Sequence, residues 1–244
     1  MTTVIYCVNN STLLRTSDMI LMIAALNTLL PAFCKTWTNK QYIVAQAPVG
    51  FKATGPYCIF ADNADVAGAL AYHTETGNIP VSKVFVRTIL QYRGAILLGA
   101  TNAVPTVAQA FSHEIFEMIC NMNVNIWWQL TNGYLVPGEV CDPVQGNIIR
   151  VPIGSAVVGL SDYIMPNWSD PQATAGPYNY LNTLRRPFQL ARGGYVALMR
   201  NGTVTSVFGM EASDYVKHYG ECNRVTLAAQ APLAPTPAPV PVPL

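Results

Sequence analysis

The sequence predicts an α+β domain, on three observations. An apolar-periodic run from Val107 to Met122 has helical spacing. Short runs rich in β-branched and aromatic residues recur on both sides of it, and Asn201-Gly202 joins two of them as a tight hairpin. The domain is expected over residues 1–225, with a small mixed sheet and a loop-rich C-terminal part, followed by a Pro-rich tail over residues 226–244. At 244 residues the chain can bury one substantial core. Charged residues make up 11%, against roughly 25% in ordinary soluble domains, and the net charge is +1. That balance gives no electrostatic case for nucleic acid or for an anionic membrane. A surface so poor in charge suits faces covered by protein partners.

Val4–Val8 reads as a short strand. Ser17-Asp18 offers an N-cap to a helix over Met19–Leu30 that ends near Pro31. The apolar stretch Met19–Phe33 is interrupted by Asn27, Thr28 and Pro31, which fits a buried amphipathic helix better than a membrane span, and no signal peptide is evident. Gln41–Gln46 and Tyr57–Phe60 read as strands, separated by turns at Pro48-Val49-Gly50 and Gly55-Pro56. Ala71–Gly77 is expected as a polar loop, Val81–Leu90 as a strand and Gly94–Gly99 as a further apolar piece. Pro105-Thr106 carries the start signals of the central helix.

After Met122, Trp127-Trp128 and Thr131-Asn132-Gly133 read as a loop or hairpin. The remainder is loop-rich apart from Val196–Arg200 and Thr203–Phe208. From Ala228 proline recurs too often for helix or sheet, so the tail is extended or disordered and is a contact point for assembly partners. The six cysteines have no close-pair spacing and read mostly as reduced core residues.

The chemistry concentrates in Ser112-His113-Glu114-Ile115-Phe116-Glu117. On a helix His113 and Glu117, four apart, share a face opposite the stripe of Val107, Ala110, Phe111, Ile115, Met118, Ile119 and Met122. An imidazole and a carboxylate are good ligands for Zn2+, which in catalytic sites takes three protein ligands and keeps one open position. Glu114, about a quarter turn away, is placed to act as general base on a metal-activated water attacking a peptide carbonyl. Glu139 is the leading third ligand, 22 positions beyond Glu117, with Asp142 and His73 as alternatives. Asp142 can also accept a hydrogen bond from the free nitrogen of His113. His73 and Tyr134 are candidate donors to a developing oxyanion. The ordinary alternatives are a solvated helix face for Glu114 and Glu117, surface positions for Glu139 and His73, and a turn starter for Asp142.

Several stretches together resemble a group of phage, bacterial and large-virus proteins similar to zinc metallopeptidases. They are Asp65–His73, Lys83–Val86, Ser112–Met118, Glu139-Val140-Cys141-Asp142-Pro143-Val144, Leu160–Trp168, Pro187-Phe188 and Gly193-Gly194-Tyr195. The resemblance spans residues 25–195 and implies a zincin-like fold, with a metallopeptidase-type helix under a small sheet. It also implies a peptide or protein substrate that pairs with Val81–Leu90 by strand addition. One departure stands out: the group continues the helix with Asp-Pro where this chain has Asn121-Met122. The expectation is a zinc-dependent peptidase with His113, Glu117 and Glu139 as ligands and Glu114 as base. Its rival is a non-catalytic structural or assembly protein, a virion component, on the same fold. Localisation is open between a virion-associated and an intracellular setting.

Overall fold

The computed structural model describes residues 2–129 and 133–209. The Pro-rich tail, the boundary at residue 225, His218 and Cys222 lie outside the described residues. In chain order the elements are strand β1 (Thr2–Asn9), helix α1 (Thr16–Trp37), β2 (Gln41–Gln46), β3 (Tyr57–Ala61), β4 (Ala71–Thr76), β5 (Ile79–Phe85), α2 (Val86–Gln91) and α3 (Val107–Cys120). Then come β6 (Trp127–Gln129), β7 (Leu135–Pro137), a 3-10 turn at Asp142–Val144, β8 (Ile148–Ile153), β9 (Ala156–Ser161), β10 (Tyr195–Arg200) and β11 (Thr203–Phe208). This is a mixed α+β fold.

The main sheet has the order β2-β1-β3-β5-β4, parallel except for β4, which runs antiparallel to β5 at the edge. Helix α3 packs on β4 and β5 from one side and meets β9 and α1 on the other. An aromatic knot closes this centre, with Phe33, Phe116 and Tyr163 at centroid separations of 4.4 to 5.0 Å. A second, antiparallel sheet, β11-β10-β7-β6, and the β8–β9 hairpin complete the fold of the described residues. Asn201 and Gly202 take φ of +50° and +76°, the left-handed conformations that a two-residue hairpin demands.

The structure corrects several expectations. Helix α1 runs through Pro31 to Trp37. Burial of Leu29, Leu30, Phe33 and Cys34 outweighs the roughly 3 kcal/mol that an interior proline costs a helix. Its cap residue is Arg15, with no side-chain cap, and Asp18 instead pairs with Arg15 at 2.8 Å. By length and composition α1 could cross a membrane, yet ten of its residues are buried, and it packs on β2, β8, β9 and α3.

Ala71–Thr76 is a strand, not a loop. Val81–Leu90 divides between β5 and α2, so β4, not that segment, forms the sheet edge beside α3. The β8–β9 hairpin interrupts a region expected to be loop. The apolar piece Gly94–Gly99 serves α3 with its carbonyls, Ala95 O accepting from Val107 N at 3.0 Å and Ile96 O from Ala108 N at 2.9 Å. With Thr106 Oγ1 accepting from Gln109 N at 3.0 Å, the first turn of the helix is satisfied. The five described cysteines are free thiols.

Candidate metal centre

Helix α3 presents no solvated front. His113, Glu114 and Glu117 are buried, as are His73, Glu139 and Asp142, none of the six more than 7% exposed. Charged side chains are seldom buried this completely without partners, so the surface reading of these residues fails. Three separate stretches supply them. The i,i+4 spacing of α3 aims His113 and Glu117 together, while β4 places His73 on the face toward α3. Tyr72 alternates to the other face, where its hydroxyl meets Asp65 at 2.9 Å. The segment after β7 returns under the helix with Glu139, Cys141 and Asp142.

That return is held in place by several contacts. Cys141 N donates to Glu117 Oε1 at 3.2 Å, Gln109 Nε2 to Gln145 O at 2.6 Å, and Ala191 N to Pro143 O at 2.9 Å. Asn121, at the C-terminus of α3, donates to Glu139 Oε1 at 3.1 Å and accepts from the backbone N–H groups of Asn125 and Ile126. The residue at which the chain departs from the resembled group thus positions one of the acids.

Around His113, Nε2 lies 3.2 Å from both Glu117 Oε1 and Asp142 Oδ1. One ring nitrogen with one proton serves two acids poorly. Donors about 2.0–2.2 Å from a tetrahedral cation stand roughly 3.3–3.6 Å apart, close to the observed spacing. Asp142 therefore shares the nitrogen that faces Glu117 instead of orienting the opposite one. The donor atoms of His113, Glu117 and Cys141 all lie within 4.8 Å of one another. Cys141 had read only as a core cysteine; its place immediately before Asp142 was the available signal.

His73 forms the other half. Its Nδ1 is 3.2 Å from Glu114 Oε2 and 3.9 Å from Glu117 Oε2, and its Nε2 is 3.9 Å from Glu139 Oε2. A second group, His73, Glu114 and Glu117, also lies within 4.8 Å. Glu139 thus sits beside His73, and its influence reaches Glu117. Tyr134 is half-buried at the entry to β7 with the Arg200 guanidinium 5.0 Å from its ring centre, a placement that carries no argument for an oxyanion role.

Electrostatics follow from crowding. Burial would lower the pKa of His73, but the charges of Glu139, Glu114 and Glu117 outweigh it and raise it to about 9. For His113, burial likewise opposes protonation, and Glu117, Glu114 and Glu139 raise the value above its ordinary one. Burial would raise Glu117, yet His113 holds it below the usual carboxylate range. Burial, reinforced by Glu117, pushes the Cys141 thiol well up. Four carboxylates face two imidazoles, so even two imidazolium rings leave two negative charges. Such an excess, buried, calls for shared protons or a cation. A small pocket lined by Leu70, Pro105, Thr106, Gln109, Ala110 and Gln145 reaches His113.

In comparisons with known proteins, no family model, no curated protein and no solved structure matches the chain.

Proposed function

We propose that the chain is a zincin-like, zinc-dependent hydrolase acting on peptide bonds. His113 and Glu117 are assigned as ligands, the third donor comes from the Glu139–Asp142 segment, and Glu114 is the general base. The observation that carries this reading is the meeting of Glu117 and Asp142 on the single buried nitrogen His113 Nε2. The mixed sheet lying on the His-Glu-x-x-Glu helix supports the zincin-like form. Imidazoles and a thiol within reach favour zinc over magnesium or calcium, which prefer all-oxygen shells.

A zinc ion held there would supply Lewis acidity, lowering the pKa of a coordinated water and polarising a carbonyl. Glu114 takes the proton on its carboxylate and returns it to the leaving amine. His73 Nδ1, 3.2 Å from Glu114 Oε2, holds that carboxylate in place, a positioning role in place of the expected oxyanion contact. Asn121 does the same for Glu139.

A second reading, a non-catalytic assembly protein with a structural metal centre, is favoured by one observation: every donor is buried, and structural sites are closed. Metal analysis and turnover separate the two. Glu114→Gln should keep the zinc of the wild type and lose about 10²–10⁴-fold in cleavage of a peptide library. Zinc without cleavage in the wild type would favour the structural reading, and a wild type that binds no metal would contradict both.

A further inference from the structure

We propose that the chain carries a second divalent-cation site, formed by His73, Glu114 and Glu117, joined to the His113 site through Glu117 as a bridging carboxylate. The inference rests on the metal-centre reading above and extends it.

Glu117 divides its oxygens between two rings. Oε1 faces His113 Nε2 at 3.2 Å, while Oε2 faces His73 Nδ1 at 3.9 Å. Glu117 belongs to two sets of three potential ligands, His113–Glu117–Cys141 and His73–Glu114–Glu117, and within each set the donor atoms lie within 4.8 Å. A carboxylate placed this way is the common element of two-metal sites with ions about 3.5–4 Å apart.

The state of His73 is the independent observation. Its ring is 4% exposed, and Nε2 has no hydrogen-bond partner. Nδ1 is the atom that faces Glu114 and Glu117, so a cation bound there leaves the ring proton on Nε2, which faces Glu139 Oε2 at 3.9 Å. Buried polar atoms are otherwise nearly always paired.

Charge leads to the same place. A metal-ligating imidazole is neutral, so with both rings as ligands the four carboxylates carry more negative charge than one divalent cation balances. The imidazole–carboxylate mixture selects Zn2+, Co2+ or Mn2+ and not Ca2+. Occupancy has a chemical consequence: a Glu114 carboxylate bound to a cation no longer accepts a proton. Filling the second site therefore withdraws the base, and excess metal inhibits turnover.

The test is titration of the chelator-stripped full-length chain with Co2+, read by absorbance and electron paramagnetic resonance. The expected result is two equivalents per chain, with the signal per cobalt falling as the second binds because the shared carboxylate couples the spins. His73→Gln should bind one equivalent, uncoupled, and that retained equivalent with a wild-type circular dichroism spectrum reports an intact fold. One equivalent in the wild type, lost in His113→Ala and unaffected by His73→Gln, would overturn the second site and leave the proposed function standing. Two equivalents with additive, uncoupled signals would overturn the bridge. Absence of any bound cobalt would remove both readings.

Discussion

Each histidine of the centre is held by carboxylates, and this fixes how the metal-free protein responds to pH. The His73 value, raised from 6.5 to about 9, lies above its unfolded value. The stabilisation it contributes is therefore complete below about pH 6.5 and lost as pH rises through about 9. Thermal melts of metal-stripped protein should fall in Tm between pH 7 and 9.5, and His73→Gln should flatten that slope. His113 is shifted the same way, so protons and metal compete for both rings. Calorimetry in two buffers of different ionisation enthalpy should show proton release on zinc binding, with affinity rising as pH rises.

At this scale much of the centre was legible. The i,i+4 pair and Glu114 followed from helix geometry, and Asp142 and Glu139 from their place downstream. The place of Cys141 beside His113 and Glu117 was not legible, because a buried thiol reads alike as core or ligand until its neighbours are known. His73 was named, but not its direction: a polar loop gave none to its ring, whereas strand alternation does.

The elements themselves are placed by packing as much as by propensity. Phe116 lies in the knot with Phe33 and Tyr163, so Phe116→Ala should cost about 3–5 kcal/mol in denaturant unfolding. Gly194 is where β10 approaches the Asp142 turn, and a Cβ there would run into the Pro143 carbonyl. That carbonyl belongs to the residue after Asp142 and already accepts from Ala191 N. Gly194→Ala should therefore lower both Tm and zinc affinity, whereas Gly202→Ala, in open space on the β10–β11 turn, should lower Tm alone.

Strands with β-rich composition, such as β2, and the Asn-Gly hairpin were readable because their signals are local. Strand β4 was not, since Thr74, Glu75 and Thr76 are polar and only its first three residues are buried. Nor was the length of α1, because the packing that carries the helix past Pro31 is tertiary.

Over the whole molecule, a sheet, a crossing helix and a returning loop bring donors from β4, α3 and the segment after β7 into one buried, acid-rich centre. Under the proposed function, a fold assembled this way is coupled to a bound cation. A ligand present at 100 times its Kd adds about 2.7 kcal/mol to stability, so zinc should raise Tm and a chelator should lower it. The mixed α+β class was legible from the alternation of short β runs with two helices. The order of the main sheet was not, because pairing of β1 with both β2 and β3 depends on contacts that no local pattern specifies.

The convergence of distant donors on one cation is tested most directly by elemental analysis of the full-length protein after desalting, wild type beside His113→Ala. The account predicts at least one tightly held zinc per chain in the wild type and loss of that zinc in a variant that keeps the wild-type circular dichroism spectrum. A wild type free of metal, or a His113→Ala protein that holds as much zinc as the wild type, would contradict it.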